Sequence, residues 1–191
     1  MGQCVSKPGL QLAQMPTCQA PKFQAEIEAM SKITQVANTL AYDTFNALSE
    51  AKFLNKYMNL SPDQQSGMDQ VLATLLEQTD YALNTVGELS CFNRTFDKWV
   101  KELAQLCEPE GAERSALLIS DNLRTKDGYS IAAVKREVES HRKFVTTMAT
   151  KGGTLVAEAV RTLNRVAAEN GAQPVHDVSA IWSKAANPGS W

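Results

Sequence analysis

The chain has 191 residues, 43% of them hydrophobic, 21% charged and 7% aromatic, a composition able to bury one core and ordinary for a soluble globular protein. A formal net charge of −2 speaks against a dedicated nucleic-acid binder, which carries a strongly basic balance. No apolar run reaches the roughly 20 residues needed to span a bilayer, and the start lacks the apolar stretch of a secretory signal, so the chain reads as facing the cytosol.

The first seven residues, Met1-Gly2-Gln3-Cys4-Val5-Ser6-Lys7, fit the myristoylation pattern. Removing Met1 frees the Gly2 amine, and Ser6 and Lys7 are the residues by which the transferase recognises the site. Cys4 lies close enough to the acylated terminus to be palmitoylated at the membrane. One myristoyl chain holds only marginally, with a partition constant of about 10⁴ M⁻¹, whereas two chains anchor stably. The opening MGQCVSKP resembles that of myristoylated type III effectors of plant-pathogenic bacteria, through Gly2, Cys4, Ser6, Lys7 and Pro8. The resemblance covers about eight residues. It implies modification by host enzymes and delivery to a host membrane, and it implies no catalytic activity. Pro8, Gly9, Pro16 and Pro21, set among glutamines, make a flexible spacer in which Cys18 reads as an exposed thiol.

Residues 22–59 lack Pro and Gly and place Phe23, Ile27, Met30, Ile33, Ala37, Leu40, Phe45, Leu48, Phe53 and Tyr57 at helical spacings. This is a first long helix, with those residues expected to face the core. Ser61-Pro62-Asp63-Gln64 follows, a capping serine with Pro at the first helical position and Gln reaching back from the third. From there a heptad seam runs from Met68 through Leu72, Leu75, Thr79, Ala82, Val86, Leu89, Asn93, Phe96, Val100 and Leu103 to Cys107. Glu108-Pro109-Glu110-Gly111 stops it. Residues 112–123 read as a short helix, with Leu117, Leu118, Ile119 and Leu123.

The last long helix starts at Tyr129 or Ser130 and runs toward Asn170-Gly171. Its seam is Ile131, Val134, Val138, His141, Val145, Met148, Gly152, Leu155, Ala159, Thr162 and Val166, and the two seams are expected to pair. Gly152-Gly153 costs about 2 kcal/mol in a helix interior and predicts a kink, a break or a close crossing. One or two helical turns are expected around Asp177 to Trp182, with a loose end from Asn187. Charge is uneven along the chain. Between Ser61 and Glu108 eight acids face three basic residues, a balance of −5, and between Arg124 and Arg165 nine basic residues face four acids, a balance of +5. We read these as antiparallel neighbours with complementary flanks, in preference to a basic helix lying on anionic lipid, because Arg136, Arg142, Lys143, Lys151, Arg161 and Arg165 do not obviously share one face.

Candidates for chemistry are few. The cysteines at 4, 18, 91 and 107 show no metal-binding or disulfide spacing. A pair between His141 and Cys91 or Cys107 lacks any nucleophile turn around the cysteine, so His141, Asn93 and Thr79 read as polar marks of register along the seams. His176 lies in the tail. Phe92, Phe96 and Trp99 read as core, while Trp182 and Trp191 lie in a tail, where docking on the bundle, contact with a membrane and engagement of a partner are the three alternatives. We name no catalytic, metal or cofactor-binding residue. The expected organisation is an acylated anchor and linker over residues 1–21, an all-α antiparallel bundle of three long helices and one or two short ones over 22–170, and a tail over 171–191. The expected function is protein interaction at the cytoplasmic face of a membrane, held by acyl chains on Gly2 and Cys4, with an unidentified protein partner and no nucleic acid. A membrane-shaping helical module and an enzyme with an unfamiliar helical active site are the alternatives.

Overall fold

The structure, a computed structural model, describes residues 23–106 and 130–191. Three long helices form the bundle: α1 (Gln24–Tyr57), α2 (Pro62–Leu106) and α3 (Ile131–Glu169). A short helix α4 (Ser179–Ala185) and a 3₁₀ turn (Pro188–Ser190) follow. The short helix expected over 112–123 lies outside the described residues.

Local chemistry sets the helix ends. The Ser61 hydroxyl accepts from the Gln64 amide (3.3 Å) and the Gln64 side chain accepts from the Ser61 amide (3.0 Å), a reciprocal cap that satisfies two otherwise orphaned donors. Only residues 58–61 separate α1 from α2, so the two helices must run antiparallel. The Ser130 hydroxyl caps α3 by accepting from the Ala133 amide. At the other end Gly171 turns the chain out at φ +70°, a conformation that costs glycine little.

Contacts between helices run in opposite directions along the chain, Asn55 to Gln65 and Thr34 to Asn93 between α1 and α2, and Gln64 to Glu169 and Thr85 to Met148 between α2 and α3. The bundle is therefore up, down, up. The α2 seam is buried or half-buried from Met68 to Leu103, but its more extensive partner is α1 rather than α3. Asn93 follows suit, donating to Thr34 of α1 (3.0 Å) instead of marking register against α3.

Two expectations fail, one on α1 and one on α3. On α1 the core side of the second half is Ala41, Thr44, Ala47, Leu48 and Ala51, while Phe45, Phe53 and Tyr57 point outward, as does Ile27. Small residues on the inner side let the helix backbones approach closely. On α3 Leu155 is exposed, and Val156, Val160 and Leu163 take the core instead. A straight helix drifts by about 20° per heptad from a strict 3.5-residue repeat, and beyond Gly152 that drift carries Leu155 out. Starting the chain at Lys22 should leave circular dichroism strongly α-helical, since Phe23 is the first residue in the core. A large β signal, or a need for detergent, would contradict this fold.

Candidate interaction surfaces

The acylation residues Gly2, Cys4, Ser6 and Lys7, together with Cys18 and Cys107, lie outside the described residues. What the described residues add is an interior held by a tryptophan and three outer helix faces of different chemistry.

Trp182 is fully buried (0% exposed) and is seated over Gly152, where an added Cβ would overlap the indole ring and crowd the Gln78 amide oxygen. Its Nε1 donates to Thr44 Oγ1 (3.0 Å), and that hydroxyl donates in turn to the Leu40 carbonyl (2.6 Å). One side chain thus joins α1 and α3. The paired glycines do not break α3, which is helical throughout. Gly152 is the seat of the indole, and Gly153 leaves ordinary room beside Trp182 Cβ. Nor is the tail end loose: Trp191 donates from Nε1 to the Ala185 carbonyl (3.2 Å), and Ser190 to that of Lys184 (2.9 Å). Asp177, just before α4, accepts from the Ser179 amide. Hydrogen bonds from the Ser179 hydroxyl and amide, with His176 adding a smaller effect, hold its carboxyl below the usual carboxylate range.

Among the described residues, Cys91 and His141 do not come together as a nucleophile and base. His141 stacks on Phe92 at 4.1 Å between ring centroids, and its Nδ1 lies 2.8 Å from the Glu137 carbonyl. A carbonyl only accepts, so Nδ1 carries the proton there. Cys91 is a free, exposed thiol. Phe96 and Trp99 are buried and Phe92 half-buried, so this aromatic row is core.

A groove of about 540 Å³ runs between α1 and α2, within the range of small-ligand sites. Met30, Phe96 and Val100 make its apolar part, and Thr34, Asn38 and Asn93 its polar part. Asp97 is the ionisable residue in the lining, and its carboxylate is paired with Lys101 at 2.6 Å. The groove is therefore lined mainly by amides and hydroxyls.

The outer face of α1 differs from both. Tyr42 (68% exposed), Phe45 (51%), Phe53 (62%) and Tyr57 (65%) fall within about 120° of one another around the helix and extend about 22 Å along it. They lie opposite the buried row Ile33, Ala37, Leu40, Thr44 and Ala51. Phe53 and Tyr57 touch, with ring centroids 4.7 Å apart, and the Lys56 ammonium stands 5.2 Å from the Tyr57 ring centre. With about 200 Å² per aromatic side chain, the four expose on the order of 500 Å². This exposed aromatic surface, interrupted by Asn46 and Ser49, is of the size at which surface apolar area is often functional. Sequence reasoning assigned three of these four to the core and passed over Tyr42. The available signal was the run of alanines on the opposite side of the same helix.

Among the described residues no helix is long and apolar enough to cross a membrane. In comparisons with known proteins the chain matches no family model, and neither a curated protein nor a solved structure shows significant similarity to it.

Proposed function

We propose that the protein is a membrane-anchored helical interaction module, held at the cytoplasmic face of a membrane by acyl chains on Gly2 and Cys4, and that it presents α1 to a protein partner there. The observation that carries the reading is the aromatic face of α1. A helix that turns its alanines inward and four aromatics outward leaves those aromatics uncovered among the described residues, where a partner can bury them. Aromatic side chains bury much surface at a low cost in side-chain entropy and dominate interface energetics. The fitting partner is a protein with an apolar groove that receives a helix through side chains spaced along one face. The N-terminal resemblance supports a role as a bacterial effector acting on host signalling, with the host plasma membrane as the site of action.

The test pairs Tyr42→Ser with Phe53→Ser in a chain with Gly2 intact, cross-linked and purified from membranes. Both positions are exposed, so the double variant should keep its helical content and its membrane fraction while losing its cross-linked partner. Recovery of the same partner at the same yield would overturn the assignment of this face.

A further inference from the structure

The outer face of α3 carries a charge pattern that the sequence alone did not display. Arg136, Lys143, Lys151, Arg161 and Arg165 are all exposed and lie within about 80° of one another around the helix, along about 44 Å of its axis. The buried row from Val134 through Val145, Gly152 and Val156 to Leu163 is on the opposite side. The expectation that these basic residues are scattered holds only for Arg142, which leans to one side with its Nε 3.5 Å from Glu139. The expected pairing with the acids of α2 is not what the ion pairs do. Those described run within single helices: Lys98 with Glu102, Lys101 with Asp97, Arg142 with Glu139, and Arg165 with Glu169.

Four acids stand in or beside this ridge: Glu158 and Glu169 fall within its arc, and Glu137 and Glu139 flank it on either side. Glu139 is engaged by Arg142, and Glu169 by Arg165 and Gln64. Glu158 also lines a depression shared with Gly67 and Thr74 of α2. Between residues 140 and 157 there is no acid at all, and the outward positions there are Ser140, Lys143, Thr147, Thr150, Lys151 and Thr154. Small hydroxyl side chains leave the lysines free to approach a flat surface. Along the edge toward α2 stand two partly exposed apolar residues, Phe144 and Leu155.

We infer that this ridge is a second membrane contact, laying α3 against an anionic lipid surface. The inference deepens the proposed function and rests on its membrane reading, because tethering by acyl chains raises the local concentration at which a modest electrostatic contact acts. Charge complementarity selects the occupant. Each basic residue close to an anionic leaflet strengthens binding by about fivefold, over a distance of about one Debye length. The ridge lies on the side of α3 opposite its buried row, and Phe144 and Leu155 beside it suit the boundary between headgroups and acyl chains. A nucleic acid is the less suitable polyanion for a chain of net charge −2.

The experiment uses the full chain with Gly2→Ala, so that no acyl group contributes. Its binding is measured to phosphatidylcholine vesicles with and without phosphatidylserine, at low and high salt, and to a DNA duplex at the same salts. The expected result is binding to the anionic vesicles alone, weakened at high salt, and reduced about tenfold or more by Lys143→Glu with Lys151→Glu, both exposed substitutions that leave the circular dichroism unchanged. Equal binding to neutral vesicles, no effect of the double substitution, or tighter binding to DNA than to anionic vesicles would each overturn the proposal. The acylated chain separates this outcome from that of the anchor. If it binds neutral vesicles while the Gly2→Ala chain binds none, the anchor stands and the ridge fails. If both chains bind only anionic vesicles and to the same extent, the ridge stands and the anchor fails.

Discussion

Replacing Gly152 by alanine is expected to destabilise the protein, although the same change in an exposed helix interior stabilises by about 0.5–1 kcal/mol. The methyl group would occupy the position of the Trp182 ring, so either the indole leaves or the helices part. Expelling it approximates the loss in Trp182→Ala, for which a buried large-to-small change of this kind costs about 3–5 kcal/mol. Against a total of about 5–15 kcal/mol for a domain, that is a large fraction. Urea unfolding followed by circular dichroism would read both variants. Gly87, whose added Cβ meets nothing within 4 Å, supplies the control: Gly87→Ala should raise the midpoint while Gly152→Ala lowers it. Thr44→Val isolates the hydrogen bond, leaving the indole N–H buried without its acceptor at a cost of about 1–3 kcal/mol. Equal midpoints for Gly152→Ala and the unaltered chain would refute the seat.

Changing Gly2 to alanine should move the protein from the membrane fraction to the cytosol and abolish its cellular activity. On the proposed dual anchor, a chain without the first acyl group would not dwell at the bilayer long enough for Cys4 to be modified, so a single substitution would remove both anchors. Cys4→Ser would remove only the second chain and leave the reversible attachment of one myristoyl group, with a partition constant of about 10⁴ M⁻¹. Its defect should be milder and should grow as the membrane is diluted. Fractionation that finds the Gly2→Ala chain fully on membranes would end the dual-anchor reading. A chain displaced from the membrane but still folded would show that location and fold are separable.

The helix ends were legible because their signals are local. Ser61 and Gln64 sit three residues apart, and the bonds between them need no other part of the molecule. The α2 stripe was legible because leucines, valines and phenylalanine repeat on it without competition. On α1 two opposite faces are apolar, one of alanine and one of aromatic residues, and spacing alone ranks the larger residues as core. Close helix packing reverses that order. The role of Gly152 was half legible: two adjacent glycines announced something unusual, but its cause stands 30 residues away at Trp182, beyond the reach of any local rule. The basic ridge was hidden by reading the neighbours Arg142 and Lys143 as typical of the set, when Arg142 is the one that departs from it.

The position of Trp182 also has a consequence in time. Its partners Thr44 and Gly152 are both synthesised before it, so a growing chain lacks this piece of its interior until Trp182 emerges. Domains generally fold as units during synthesis. Here closure waits for Trp182, and a chain stopped at Gly171 holds three helices without the indole that packs between them. Such a chain should be far more open to protease than one allowed to reach Trp191.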